Sequence, residues 1–119
     1  MKRILVIEDN ETNIYLIGFI LRKNKHEVIE ARTGEEGVEL AVKEKPDLIL
    51  MDIQLPGIDG LEATRRIRES EANEDVPIIA LTSYAMTGDR EKSLAAGCTG
   101  YIEKPINPDT FMSEIGKYL

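Results

Sequence analysis

The sequence predicts an α/β domain in which five strands and five helices alternate strictly, the strands forming one parallel, doubly wound sheet. Three observations lead there. Ile4–Ile7, Leu48–Met51 and Ile78–Leu81 are four-residue runs without a polar side chain, which marks short strands covered on both faces rather than half-wet ones. Between the runs lie segments with apolar residues at helical spacing. Strand starts recur roughly every 20 to 30 residues, the length of a βαβ unit with a right-handed crossover.

The elements follow in order. Ile4–Ile7 ends in Glu8-Asp9-Asn10, and a helix is expected from Glu11 to Lys25, with Ile14, Ile17 and Leu21 on its stripe and Leu16 and Ile20 widening it. Asp9 or Asn10 caps its start and Asn24 ends it. Glu27–Ala31 is a weaker strand, placed nearer a sheet edge. Thr33 and Glu36 form a capping box that opens a helix carrying Val38, Ala41 and Val42, closed before Pro46. Leu48–Asp52 is the central strand, bounded by Pro46 and Pro56-Gly57. Asp59 and Glu62 repeat the cap logic for a helix with Leu61 and Ile67 inward and Glu62/Arg66 and Arg65/Glu69 as outward pairs. Ser70–Asp75 reads as a loop, and the fourth strand ends in Thr82-Ser83. A helix is expected from about Thr87 to Ala96, stopped by Gly97. Tyr101-Ile102 belongs to a fifth strand ending at Glu103-Lys104-Pro105. Asn107-Pro108-Asp109 supplies a cap, a proline at the first helical position and an acid in the first turn, and the last helix is expected to bury Phe111, Ile115 and Leu119.

At 119 residues the chain reads as one domain, 1–119, large enough to bury a core without staples, and nothing is left over for an output domain. Its 22 acids against 15 bases give a net charge of −7, which lacks the basic footprint that nucleic acid demands. The single Cys98 excludes an internal disulfide and reads as a buried structural thiol. No run approaches the ~18 apolar residues of a membrane span and no signal-peptide pattern precedes Ile4, so the chain is expected in the cytoplasm, away from membranes.

The chemistry gathers at strand ends. Open α/β sheets bind ligands at their carboxyl edge. There Glu8 and Asp9 follow the first strand, Asp52 the third, Thr82 the fourth and Lys104 the fifth. With the central strands adjacent, three carboxylates come together, which requires protons or a cation. A hard divalent ion resolves the repulsion, and Mg²⁺ suits because it takes one or two carboxylates and keeps waters or phosphate oxygens. Lys104 supplies a point charge for an anion and Thr82 a hydroxyl. Taken singly these are also a helix cap, a turn residue and a solvated lysine; taken together they favour phosphoryl transfer onto a carboxylate.

Glu8-Asp9-Asn10, the stretch from Leu50 to Gly60 around Asp52, Leu81-Thr82-Ser83 and Tyr101-Ile-Glu-Lys104-Pro105-Ile106 closely resemble the receiver domain of two-component response regulators. Within that family, Met51-Asp52-Ile-Gln-Leu-Pro and Ala85-Met86-Thr-Gly-Asp89 are most similar to single-domain regulators of the cell-division, DivK-like, type, with wording shared by receivers of hybrid histidine kinases. The resemblance implies a (βα)5 flavodoxin-like three-layer sandwich with strand order 2-1-3-4-5. It implies that Asp52 accepts phosphate from a phosphohistidine on a histidine kinase or phosphotransfer protein. Asp9, Asp52 and the backbone carbonyl of Ile53 would hold Mg²⁺, with Glu8 acting through water. Thr82 and Lys104 would contact the phosphoryl oxygens, and Tyr101 would be the aromatic switch that turns inward when Thr82 shifts. Gln54 and Tyr84, two residues beyond Asp52 and Thr82, would tune the lifetime of the phosphate. Thr12, Asn13 and Leu16, with Pro105-Ile106, lie near enough to meet a helical-bundle phosphotransfer protein. Output would pass through a protein target or onward relay, the chain being a monomer or weak dimer that catalyses only its own phosphorylation and dephosphorylation. Three rivals stand beside this. A flavin-binding redox domain would want a Ser/Thr/Gly-rich phosphate loop where Glu8-Asp9-Asn10 stands. An Asp-nucleophile phosphohydrolase would usually carry a second acid just after Asp52, where Ile53 and Gln54 are neutral. A degenerate receiver would have lost the acids.

Overall fold

The computed structural model describes residues 1–70, 75–83 and 89–119, with backbone alone at 89 and 90. The strands are β1 (Arg3–Ile7), β2 (Glu27–Ala31), β3 (Leu48–Asp52), β4 (Ile78–Thr82) and β5 (Gly100–Glu103). Between and after them run α1 (Glu11–Lys23), α2 (Gly34–Glu44), α3 (Gly60–Glu69), α4 (Asp89–Ala96) and α5 (Phe111–Gly116). The sheet is parallel throughout, in the order β2-β1-β3-β4-β5.

Strand alternation divides the core into two layers of packing. Ile4, Val6, Leu48, Leu50, Ile79 and Leu81 face one side and pack with Ile17 and Leu21 of α1 and Phe111 and Ile115 of α5. Leu5, Ile7, Ile49, Met51, Ile78 and Ala80 face the other and pack with Ala41 of α2 and Ala63 and Ile67 of α3. The result is the flavodoxin-like three-layer sandwich. Every residue of β3 and β4 is buried, whereas only Ala31 of β2 is, which is why the edge strand gave the weaker signal.

Of the two expected caps for α1, Asn10 serves, its side chain accepting from the Asn13 N–H, and Asn24 closes the helix as expected. Several ends differ from expectation. The helix itself stops at Lys23, and Lys25 takes a left-handed φ of 66°. Val42 is 45% exposed, off the α2 stripe that Ala41 buries. Arg66 pairs with Glu62 at 3.0 Å as expected, but Arg65 also turns to Glu62, at 3.6 Å, rather than to Glu69. Pro108 lies in a turn, since the Asn107 side chain takes the Asp109 N–H at 2.9 Å and delays α5 to Phe111; Leu119 is half-buried. The expected start of the fourth helix at Thr87 falls outside the described residues.

The amino edge of the sheet is stitched by two arginines. Arg3 donates to the Glu44 carbonyl and carboxylate, each at 2.6 Å, and its backbone N–H to Asp47 at 2.8 Å. Arg68, on α3, donates to the carbonyls of Val76 (2.5 Å) and Gly97 (2.9 Å) and to the Thr99 hydroxyl (3.2 Å), tying together the chain ahead of β4 and β5. Arg68→Met keeps the aliphatic stem and strips those carbonyls of their donor. It is expected to cost about 2 kcal/mol, read as a lower urea midpoint with an unchanged slope. An unchanged midpoint would show the stitches to be energetically idle.

Candidate functional site

The two core layers fix where the acids stand. Ile4, Val6 and then Glu8 continue one side of β1, Leu48, Leu50 and Asp52 the same side of β3, and Ile102 and Lys104 the same side of β5. Adjacent β1 and β3 therefore deliver two acids to one spot, and Lys104, from β5 beyond β4, reaches them from the other end of the sequence. Glu8 is fully buried, still on the ladder through its N–H to the Ala31 carbonyl (2.9 Å), and Asp52 is 3% exposed. Asp9, one residue out of phase with Glu8, is exposed. One carboxylate oxygen from each of Glu8, Asp9 and Asp52 lies within 4.8 Å of the other two.

Lys104 Nζ sits between the two buried acids. It lies 3.0 and 3.2 Å from the Glu8 oxygens and 3.2 Å from Asp52 Oδ1. Asp52 Oδ1 also accepts the Gln54 N–H at 3.1 Å. Burial, then the hydrogen bond and charge of Glu8, push the Asp52 carboxyl up to about 7, against the opposing pull of Lys104 and the Gln54 N–H. Burial lowers the affinity of Lys104 for its proton, but the Glu8 hydrogen bond and the charges of Asp52 and Glu8 outweigh it, so the ammonium is held above its ordinary value. Among the described residues one cation faces three carboxylates, which leaves them short of positive charge. Oxygen ligands, two of them nearly dry, with a deficit of charge, suit a hard divalent ion such as Mg²⁺.

Thr82 ends β4 beside Asp52, buried, and its carbonyl accepts the Lys104 N–H at 2.7 Å. The Ile53 N–H donates to Leu81 O at 3.1 Å, so the loop after β3 leaves along the same ladder. The Ile53 carbonyl, expected as a metal ligand, accepts the Gly60 N–H at 2.9 Å, which commits one lone pair to the start of α3. Gln54, whose N–H already touches Asp52, brings the neighbouring carbonyl to the same loop. Gly60 is required here: a Cβ would stand 2.2 Å from the Asp52 carbonyl oxygen and 2.7 Å from Ile53 Cα.

Tyr101 is half-buried on β5, its hydroxyl 3.4 Å from Glu103 Oε1. It lines a cavity of about 390 Å³ with Glu114, Lys117 and Tyr118, and a second of about 230 Å³ with Leu94, Thr99 and Gly100. Tyr84 lies outside the described residues. Cys98 is buried as expected; burial pushes its thiol up, opposed by Thr64 and Arg68, so it is no thiolate nucleophile. Sequence reasoning missed the Asn13 contact to Glu8, treating that residue only as a docking candidate.

A doubly wound sheet with an acidic, metal-competent pocket at the carboxyl ends of β1, β3 and β5 defines the class: an α/β domain with its site where the strand order reverses between β1 and β3. Within that class the chain belongs to the response regulator receiver domain family, whose model matches residues 4–116. It is 42% identical over 118 residues to the polar-differentiation response regulator DivK of Brucella ovis, covering 99% of this chain and 96% of that protein. Among solved structures, the receiver domain of the sensor histidine kinase PA1611 from Pseudomonas aeruginosa PAO1 is 39% identical with a TM-score of 0.91, covering 98% of this chain and 96% of that one, and has a magnesium ion coordinated in its active-site cleft. The chemotaxis protein CheY4 of Vibrio cholerae is 27% identical with a TM-score of 0.95, covering 100% and 99% of the two chains.

Proposed function

We propose that this chain is a stand-alone, DivK-like response regulator of a two-component phosphorelay, with Asp52 as the phosphoacceptor. The observation that carries the reading is Lys104 Nζ lying within 3.2 Å of both Glu8 and Asp52, at the carboxyl edge of the sheet. An Asp52 carboxylate oxygen forms a bond to phosphorus as the P–N bond of a donor phosphohistidine breaks, and the imidazole keeps the electron pair. Glu8, Asp9, Asp52 and a backbone carbonyl of the 53–54 turn would hold Mg²⁺, which neutralises charge on the transferring phosphoryl oxygens. Lys104 leaves Glu8 for one of those oxygens, and the Thr82 hydroxyl follows toward another. Tyr101, with room on two sides, then changes its packing, and the surface of α4, β5 and α5 is read by a protein target. Gln54 and Tyr84 set how readily water reaches the acyl phosphate.

The partners in this reading are a histidine kinase or phosphotransfer protein upstream and a protein downstream. The chain turns over no separate substrate, binds neither nucleic acid nor membrane, works in the cytoplasm, and is a monomer or weak dimer. Support comes from the near-complete match to DivK and, among the described residues, from the absence of a helix long and apolar enough to cross a membrane. The likeness to a receiver of a sensor kinase keeps a relay intermediate, or a piece of a hybrid kinase, as the second reading. Incubation with acetyl phosphate should phosphorylate the peptide containing Asp52 with Mg²⁺ present and leave it unmodified in EDTA. A protein that is never labelled, or labelled equally in EDTA, overturns the proposal.

A further inference from the structure

Glu8 is held from outside the sheet. Asn13 Nδ2 donates to Glu8 Oε1 at 2.6 Å, and Lys104 reaches the same oxygen at 3.0 Å. The Asn13 backbone N–H bonds to Asn10 Oδ1 at 3.0 Å, so the cap that starts α1 also fixes where Asn13 stands. This is the third residue of the helix, where capping rewards a Glu or Gln long enough to reach back to the cap N–H. Asparagine is too short for that and a weaker helix former than either. Its amide reaches instead to the end of β1. The amide presents its nitrogen, a donor, to the Glu8 oxygen.

The two donors on Glu8 are not equivalent. Lys104 is shared with Asp52, 3.2 Å away, and the proposed reaction draws it toward a phosphoryl oxygen. Among the described residues, the Asn13 amide has no such second partner in the site. We infer that Asn13 is a positioning residue for the metal site, keeping the Glu8 carboxylate aimed at the ion when Lys104 turns away. The inference rests on Asp52 being a Mg²⁺-dependent phosphoacceptor. Partners that orient metal-binding groups are typically worth 10–100-fold in affinity. A single neutral donor on a half-buried side chain belongs at the low end, about 10-fold.

The test uses Asn13→Leu, which keeps the branched shape and removes the donor, and Asn13→Ser, which shortens the side chain so that no donor reaches Glu8. Each folded protein is titrated with Mg²⁺ alone by amide chemical shifts, then labelled with acetyl phosphate across a Mg²⁺ series. Both variants are expected to weaken Mg²⁺ binding about 10-fold and to shift the half-saturating Mg²⁺ for labelling by the same factor. The rate at saturating Mg²⁺ should move by less than about twofold. Wild-type Mg²⁺ affinity in the variants overturns the inference, and so does a loss confined to the saturated rate, which a merely structural or docking role would give. If leucine prevents folding, serine carries the test. Should wild-type protein bind Mg²⁺ yet never become labelled, the phosphoacceptor reading falls while the titration still decides Asn13.

Discussion

Asp52→Asn is expected to abolish acetyl-phosphate labelling and, without a divalent ion, to make the protein more stable at neutral pH. Both follow from one buried carboxyl. Its folded value of about 7 lies above its ordinary 3.8. Between those values the folded chain keeps a proton that the unfolded chain has released, so ν_U is smaller than ν_N and stability falls as pH rises. Above the upper value the loss is complete and the curve flattens. Asparagine carries no such penalty and can offer an N–H to Glu8. Wild-type protein should therefore lose about 1–4 kcal/mol more than the variant between pH 5 and pH 8, measured by chemical unfolding in EDTA. Mg²⁺ should narrow the gap, since the ion takes the place of the proton. Residual labelling at another residue, or parallel pH curves for the two proteins, would contradict the assignment of Asp52 as the strained acid.

Gly60→Ala is expected to damage stability and labelling together. The added Cβ meets the Asp52 carbonyl oxygen at 2.2 Å and Ile53 Cα at 2.7 Å, and these are backbone atoms of the segment that carries the proposed acceptor. They cannot step aside without moving Asp52 off the line set by its β4 neighbours. A loss of about 3 kcal/mol is expected. Labelling of whatever remains folded should fall at least about 10-fold, because small misplacement at a reacting group is costly. Gly116→Ala is the matched control: a Cβ there meets nothing within 4 Å, and the change should be neutral or stabilising by up to about 1 kcal/mol. Equal midpoints for the two alanine variants would remove the argument for crowding at Gly60.

How much of this could be read from residues alone depends on whether one stretch of chain decided it. The central strands were legible because both faces of Leu48–Asp52 and Ile78–Thr82 are covered, so burial wrote itself into the sequence as an unbroken apolar run. Helix ends were less so. Pro108 has the right chemistry for a first helical position, but Asn107 spends its side chain on Asp109 and makes a turn first. Val42 sits at helical spacing from Val38 yet falls outside the buried arc. At the site, the sequence placed both acids directly after apolar strands, while their sharing one side of the sheet shows only in how Ile4 and Val6 pack with Leu48 and Leu50. That Lys104 would meet Glu8, 96 residues away, depends on which strands are neighbours, and no local pattern encodes that. Asn13 was harder still: its contact with Glu8 joins the first turn of α1 to the end of β1, so it read only as a surface residue available for docking. The commitment of the Ile53 carbonyl to Gly60 depends on the path of a whole loop.

The stitched amino edge has a consequence for how such a chain can change over generations. Arg3 and Arg68 tie strand starts to carbonyls, carboxylates and a hydroxyl at the end of the sheet farthest from Asp52. At the carboxyl end, charge is left unbalanced. Under the proposed function, these seams and the signalling site occupy opposite poles of one small domain. Substitutions on the rim of the site that alter which partner is heard, or for how long, would leave the Arg3 and Arg68 seams intact. A lineage can rewire its conversations without having to learn again how to fold.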